Sequence, residues 1–182
     1  REVRQGAGCV RLALRAADSD HVWGRLTEGP RKKFDRLTFH CFEDEVDKLR
    51  SHVVAKGVSL MPPPAGADAS GFWFTDPDGV AVQVRAGPKT TLNAAQHTSP
   101  ALPVDGVRCA PYNSQAKAAL PQRLSHIARM TAQFSRMYDF YTQVLGLRLS
   151  DRSGEGVAFL HAPHGSDHHL IALAGGPGAA LH

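Results

Sequence analysis

Histidines concentrate in one short stretch near the end of the chain, residues 157–173. Four of the ten histidines of the sequence lie there: His161, His164, His168 and His169. Apolar runs flank a polar segment rich in Gly, Ser and Asp, which predicts a strand, a turn and a second strand. Imidazole can transfer protons or bind a divalent metal near neutral pH, so this cluster indicates a functional site. The alternative is that the histidines cover a solvated hairpin tip.

Another candidate histidine lies in residues 123–130, which alternate in polarity and predict a strand. The segment Arg-Leu-Ser-His126 aligns with Arg-Leu-Thr-Phe39 earlier in the chain. Phe39 therefore takes the place of His126, and His40, one residue on, would point to the opposite face of its strand. On its own, a lone histidine in a strand is more often a hydrogen-bonded core residue than part of a functional site. The histidine-rich stretch at 161–169 favours a functional role for His126.

The two aligned segments open two copies of one predicted order, β-α-β-β-β. In each copy a strand precedes a helix that ends at a glycine, Gly57 or Gly146, and three more strands follow. The strands predicted for the first copy are 36–42, 58–60, 71–75 and 80–84, and those for the second are 123–130, 147–149, 157–160 and 169–173. Two further strands, 9–15 and 21–26, are predicted ahead of the first copy.

A repeat of this kind predicts an α+β fold in which βαβββ units form curled mixed sheets around a cavity. We expect two domains, the second of them incomplete. Residues 1–86 form the first domain, whose opening unit lacks its first strand and helix. Residues 87–119 are rich in Pro, Asn, Gln, Ser, Thr and Ala and predict a linker. Residues 120–182 form the first unit of the second domain.

Composition and charge narrow the class of protein. The chain has 182 residues, of which 42% are hydrophobic and 21% charged, as is typical of globular proteins. Its net charge of +4 is spread along the sequence, so we expect no nucleic-acid partner. No apolar run is long enough to cross a bilayer, so we expect no membrane partner. Three separate cysteines without a CxxC pair favour a reducing, cytoplasmic setting.

Several motifs together resemble the vicinal oxygen chelate superfamily, and within it the type I extradiol ring-cleavage dioxygenases. The first copy contributes Phe-Thr-Asp-Pro-Asp-Gly79 followed by a strand. The second contributes Arg-Leu-Ser-His126-Ile, Asp-Phe-Tyr-Thr-Gln-Val-Leu-Gly-Leu147, and Asp-His-His169-Leu-Ile-Ala-Leu. The Phe-Tyr…Leu-Gly-Leu segment is common to the superfamily. The His126 strand with the Asp-His-His hairpin is more specific to the dioxygenases.

The resemblance implies a metal site made of two histidines and one carboxylate, which holds Fe(II) or, in some members, Mn(II). His126 matches the first ligand. Placing Leu181-His182 on Leu124-Ser125 puts the second ligand one position after His182. His182 would itself be a ligand only if that register slips by one. The third ligand, a glutamate, would lie further on, so the sequence resembles the middle of a longer protein.

The resemblance also implies an acid/base histidine beside the metal, and His169, followed by a short apolar strand, matches it. We expect His168 to point to the opposite face of that strand, and His161 and His164 to be hairpin or rim residues. In the first copy, Phe39 replaces the ligand histidine and Gln83 stands where a carboxylate would be needed. An amide is a poor ligand for a hard dication, so we expect residues 1–86 to be metal-free and non-catalytic, and residues 120–182 to open the catalytic domain.

Our leading hypothesis is extradiol cleavage of a catechol by O₂ at a non-haem Fe(II) centre, in the catabolism of aromatic compounds. One alternative is a non-redox member of the superfamily, such as a glyoxalase-type isomerase or lyase or a small-molecule binding protein, with a site completed by another chain. The other is an inert scaffold with surface histidines. The partners implied are a catechol-type substrate and O₂, and the resemblance also implies assembly into a homo-oligomer.

Overall fold

The structure is a computed structural model that describes residues 2–6, 9–16, 19–90, 106, 114, 121 and 123–181. The chain divides into two compact units. One consists of Arg1–Glu28 with Asn93–Leu124, and the other of Gly29–Leu92 with Ser125–His182. Both copies of the repeat thus contribute to the second unit.

The first unit contains a three-stranded antiparallel sheet, β1 (Glu2–Gly6), β2 (Cys9–Arg15) and β3 (Val22–Thr27), paired in chain order. The second and third strands were predicted. The first was not, because Val3 is the only apolar aliphatic or aromatic residue in it and a single such residue gives no alternation.

The first copy of the repeat folds into a three-stranded mixed sheet and one helix. It consists of β4 (Arg36–Cys41), a 3₁₀ turn (Glu43–Glu45), α1 (Val46–Ala55), β5 (Phe72–Thr75) and β6 (Ala81–Ala86). β6 lies in the middle, parallel to β4 and antiparallel to β5. The strand predicted at 58–60 is reduced to one bridge between Met61 and Trp73. Three prolines follow Met61, and proline has no N–H to extend the pairing.

The second copy has the predicted order β-α-β-β-β. It consists of β7 (Ile127–Thr131), α2 (Phe134–Asp139), β8 (Arg148–Ser153), β9 (Val157–His161) and β10 (Ile171–Gly175), and a short β11 (Ala180–Leu181) follows. α2 continues as a π-helical segment, Phe140–Val144. The strands form one mixed sheet in the order β11-β7-β10-β9-β8. These mixed sheets with few helices confirm the α+β class.

The two copies share one hydrophobic core. Its buried members come from α1, β5 and β6 on one side and from α2, the π-helical segment, β9 and β10 on the other. Beside this core lies a buried ion pair between the copies: Arg129 on β7, 1% exposed, donates to Asp76 and to the Tyr141 hydroxyl. The boundaries predicted at 86 and 120 for the domains stay a prediction. Of the predicted linker, only residues 87–90, 106 and 114 lie among those described.

Candidate functional site

The two histidines predicted to do chemistry lie side by side. The ring centroids of His126 and His169 are 4.3 Å apart. β7 and β10 are parallel neighbours, with Ile127 opposite Ile171. His126 is one residue before β7 and His169 is two residues before β10, so parallel pairing brings both to the same edge of the sheet.

This placement corrects the predicted strand limits. β7 begins at Ile127 and β10 at Ile171, so His126 and His169 precede their strands. The alternation of faces along a strand therefore does not apply to His168 and His169. Their rings are in edge contact, with Nδ1 of one 3.1 Å from Nδ1 of the other. The prediction that His168 points away from His169 is wrong for this reason.

His169 is half-buried against aromatic and imidazole rings. Its ring centroid is 4.7 Å from that of Phe159 on β9. Partial burial lowers the pKa of His169 below its ordinary value, and the adjacent His126 and His168 lower it further, while Asp167 opposes them. Since the hydrogen bond to His168 occupies Nδ1, Nε2 is the ring nitrogen left for proton exchange. His169 is thus suited to accept a proton near neutral pH.

His126 is exposed and is oriented by its neighbour in sequence. Its Nδ1 lies 2.9 Å from Ser125 Oγ. When Nδ1–H donates to that hydroxyl, Nε2 carries the lone pair, which is the form in which imidazole binds a metal. Among the described residues, no group of three or more His, Cys, Asp or Glu side chains could hold a metal ion. His182 lies outside the described residues. His126 fits a single ligand of the expected set.

His161 is the last residue of β9, and His164 lies in the loop that follows it. His161 Nδ1 is 2.7 Å from the Ser150 hydroxyl on β8. His164 Nε2 is 2.7 Å from a carboxylate oxygen of Glu45, and its ring is 5.0 Å from that of Phe42. Sequence reasoning did not find Ser150 or Glu45, because each meets its histidine only through folding.

The first copy uses the corresponding positions for packing. Phe39 lies against the core and its ring makes an edge contact with Tyr141, 6.2 Å between centroids. Gln83 is 3% exposed. Its amide nitrogen donates to the carbonyls of Asp68 and Ser70, and its oxygen accepts from Thr38. These contacts give the two residues structural roles. That the first copy is metal-free stays a prediction.

Known proteins resemble the chain in sequence. Residues 123–182 match the family described as the Glyoxalase/Bleomycin resistance protein/Dioxygenase superfamily. A curated relative, Metapyrocatechase 2 of Cupriavidus necator, is 46% identical over 162 residues, which are 89% of this chain and 50% of that protein. The chain therefore spans about half the length of this relative.

Solved structures resemble the chain in fold. The Mn(II)-bound glyoxalase from Novosphingobium aromaticivorans is 27% identical with a TM-score of 0.63, and the match covers 98% of this chain and 54% of that one. The 2,3-dioxygenase LapB from Pseudomonas sp. KL28 is 21% identical with a TM-score of 0.66, and the match covers 98% and 62%. At 21% identity the latter likeness concerns the fold alone. In the part of the chain that is described, no helix is both long and apolar enough to span a bilayer.

Proposed function

We propose that the protein cleaves the ring of a catechol beside its two hydroxyls with O₂. The chain is a relative of the extradiol dioxygenases, within the superfamily that also contains glyoxalases. The observation that carries the proposal is the 46% identity to a metapyrocatechase. The His126 and His169 rings, 4.3 Å apart at one sheet edge, support it. A metapyrocatechase is a catechol 2,3-dioxygenase. Catechol and O₂ are accordingly the proposed substrates.

His126 is the proposed metal ligand, through Nε2. Proteins of this family are metal-dependent, and we propose Fe(II), with Mn(II) as the second choice. The chemistry that Fe(II) supplies when bound is coordination of the two substrate oxygens and of O₂ at open positions. His126 is the one ligand that we propose among the described residues, and we propose that the rest of the protein supplies the others. His182 is proposed only for the case in which the register slips by one.

His169 is the proposed acid/base. A catechol loses a proton when it binds a cation through both oxygens, and a neutral imidazole within reach can accept that proton. The lowered pKa of His169 keeps the ring neutral and ready to accept it at Nε2. The Phe159 ring packs against the imidazole at a tilt, with 4.7 Å between the ring centroids. The same nitrogen returns the proton to the ring-opened product.

A second candidate function is a non-redox reaction of the glyoxalase type, favoured by the 27% identity to the Mn(II)-bound glyoxalase. Both reactions need a metal and a proton-transferring group, so the histidine geometry is compatible with either. Consumption of O₂ separates the two, because isomerisation and lyase reactions consume none.

The test of the metal assignment is His126→Ala in the full-length protein, with His164→Ala as control. Metal analysis should show that His126→Ala loses iron, because one ligand of three is removed, whereas His164→Ala keeps it, because that ring pairs with Glu45. Iron at wild-type occupancy in His126→Ala would rule the assignment out.

A further inference from the structure

Ser150 occupies an irregular position in the sheet. Along β8, Leu149 faces Leu160 of β9, and the next paired residue is Asp151, which faces Phe159. Ser150 is therefore the extra residue of a β-bulge. A bulge changes the direction in which a side chain points and is frequent beside active sites. The bulge lies on β8, which pairs with β9, the strand that leads into the histidine hairpin.

The Ser150 hydroxyl joins two parts of that hairpin. It donates to the backbone carbonyl of His168 and lies 2.7 Å from Nδ1 of His161. A hydroxyl has one hydrogen, so a Ser150 that donates to the carbonyl must accept from His161. His161 therefore carries its proton on Nδ1. This chain of two hydrogen bonds connects the end of β9 to the loop that precedes β10.

The bonded carbonyl belongs to the peptide group between His168 and His169. Since that group is planar, fixing the carbonyl fixes the direction in which the backbone enters His169. The ring of His169 has separate contacts, with His126, Phe159 and His168. We propose that Ser150 is a positioning residue, which through His161 and the His168 carbonyl holds the backbone of His169 in the site. This inference rests on the proposed function for its catalytic consequence.

We expect the Ser150 hydroxyl to matter more for the position of His169 than for the stability of the fold. A hydrogen bond that is partly open to water contributes little to the stability of the fold. A displacement of about 1 Å in a proton-transferring group can lower turnover by roughly a hundredfold. Loss of the Ser150 hydroxyl should therefore change turnover far more than it changes stability.

The kinetic test compares Ser150→Ala, Ser150→Thr and Ser153→Ala in the full-length, iron-loaded protein with catechol as substrate. Ser150→Ala should lower kcat roughly 10- to 100-fold with KM and iron content nearly unchanged, and Ser150→Thr should recover most of kcat because it restores a hydroxyl. Ser153 lies on the same strand, paired with Val157 outside the bulge, so Ser153→Ala should match wild type. Wild-type kcat in Ser150→Ala, or Ser150→Thr no better than Ser150→Ala, would overturn the proposal.

Hydrogen exchange tests the same contact without activity. The Leu170 amide, which donates to the Leu160 carbonyl, follows the anchored peptide group directly. Peptides covering 162–170 should exchange faster in Ser150→Ala than in Ser153→Ala, and unchanged exchange would overturn the proposal. If the proposed function is wrong, wild type and every variant alike consume no O₂, and the exchange comparison then decides on Ser150 by itself.

Discussion

At the scale of single residues, the environment of His169 determines its chemistry. Partial burial and two adjacent imidazoles lower its pKa, so the neutral ring persists at physiological pH and below. A lowered pKa also means that the fold is stabilised by this residue above the ordinary pKa of histidine, and that this stabilisation is lost as pH falls through the folded value. His169 is thus favoured as a proton acceptor.

The substitution His169→Phe tests this role, since phenylalanine keeps a flat ring against Phe159 but has no nitrogen. We expect kcat to fall by about 10²- to 10⁴-fold in the full-length protein, the usual contribution of a general acid or base. Iron should stay bound, because His126 and not His169 is the proposed ligand. Steady-state kinetics with metal analysis provide the measurement, and a variant with more than about half of wild-type kcat would remove His169 from the mechanism.

At the scale of elements, the sequence predicted which strands and helices exist better than where they begin. The alternation in 36–42 and the apolar spacing after Glu45 sufficed for β4 and α1. The starts of β7 and β10 were predicted four and two residues too early. Composition alone does not mark where pairing begins, since Arg123–His126 lie outside β7 and Leu170, just ahead of β10, already forms backbone hydrogen bonds to Leu160 and Ile127. The partners of His161 and His164 could not be predicted, because Ser150 and Glu45 are brought to them only by tertiary packing.

The close approach of Gly71 to β6, in the turn that leads into β5, provides a test of how these strands pack. Gly71 has a φ of +70°, and a Cβ added to it would lie 2.0 Å from the Val84 carbonyl oxygen of β6. Gly57 also has a positive φ, +81°, but nothing lies within 4 Å of its added Cβ.

Gly71→Ala should therefore lower the free energy of unfolding by roughly 3 kcal/mol or more, from backbone strain and displacement of β5. Gly57→Ala introduces only the backbone strain and should lower the free energy of unfolding by about 1 kcal/mol. Urea denaturation of the two variants gives the comparison, and equal losses would show that β5 and β6 do not approach as closely as described.

At the scale of the whole molecule, a buried charge cluster links the two copies of the repeat. Arg129 is paired with Asp76 and with Asp78, 3.4 Å away, both from the turn between β5 and β6. Tyr141 donates to Asp76 and accepts from Arg129, each at 3.2 Å. Burial, and then the negative charge of Asp76, raise the pKa of Tyr141 above its ordinary value. The hydroxyl therefore stays protonated in the fold.

Tyr141→Phe should reduce the free energy of unfolding at pH 7 by roughly 1–3 kcal/mol, because two buried polar groups lose a partner. Because the pKa of Tyr141 is raised on folding, its contribution is fully present below pH 10 and is lost as pH rises through the folded value. The difference in free energy of unfolding between wild type and variant should therefore begin to narrow above pH 10, where the unfolded chain starts to lose its tyrosine proton. Urea denaturation from pH 7 to 11 measures it, with Tyr138→Phe as control, and a difference that widens would contradict the assignment.

Consumption of O₂ by the full-length protein tests the proposed ring cleavage. The full-length, iron-loaded protein is given catechol under ¹⁸O₂, and oxygen uptake is followed together with the mass of the product. We expect one O₂ to be consumed per catechol and a yellow ring-opened product that carries both labelled atoms. A protein that holds its metal but leaves the oxygen concentration unchanged would rule out the proposed function.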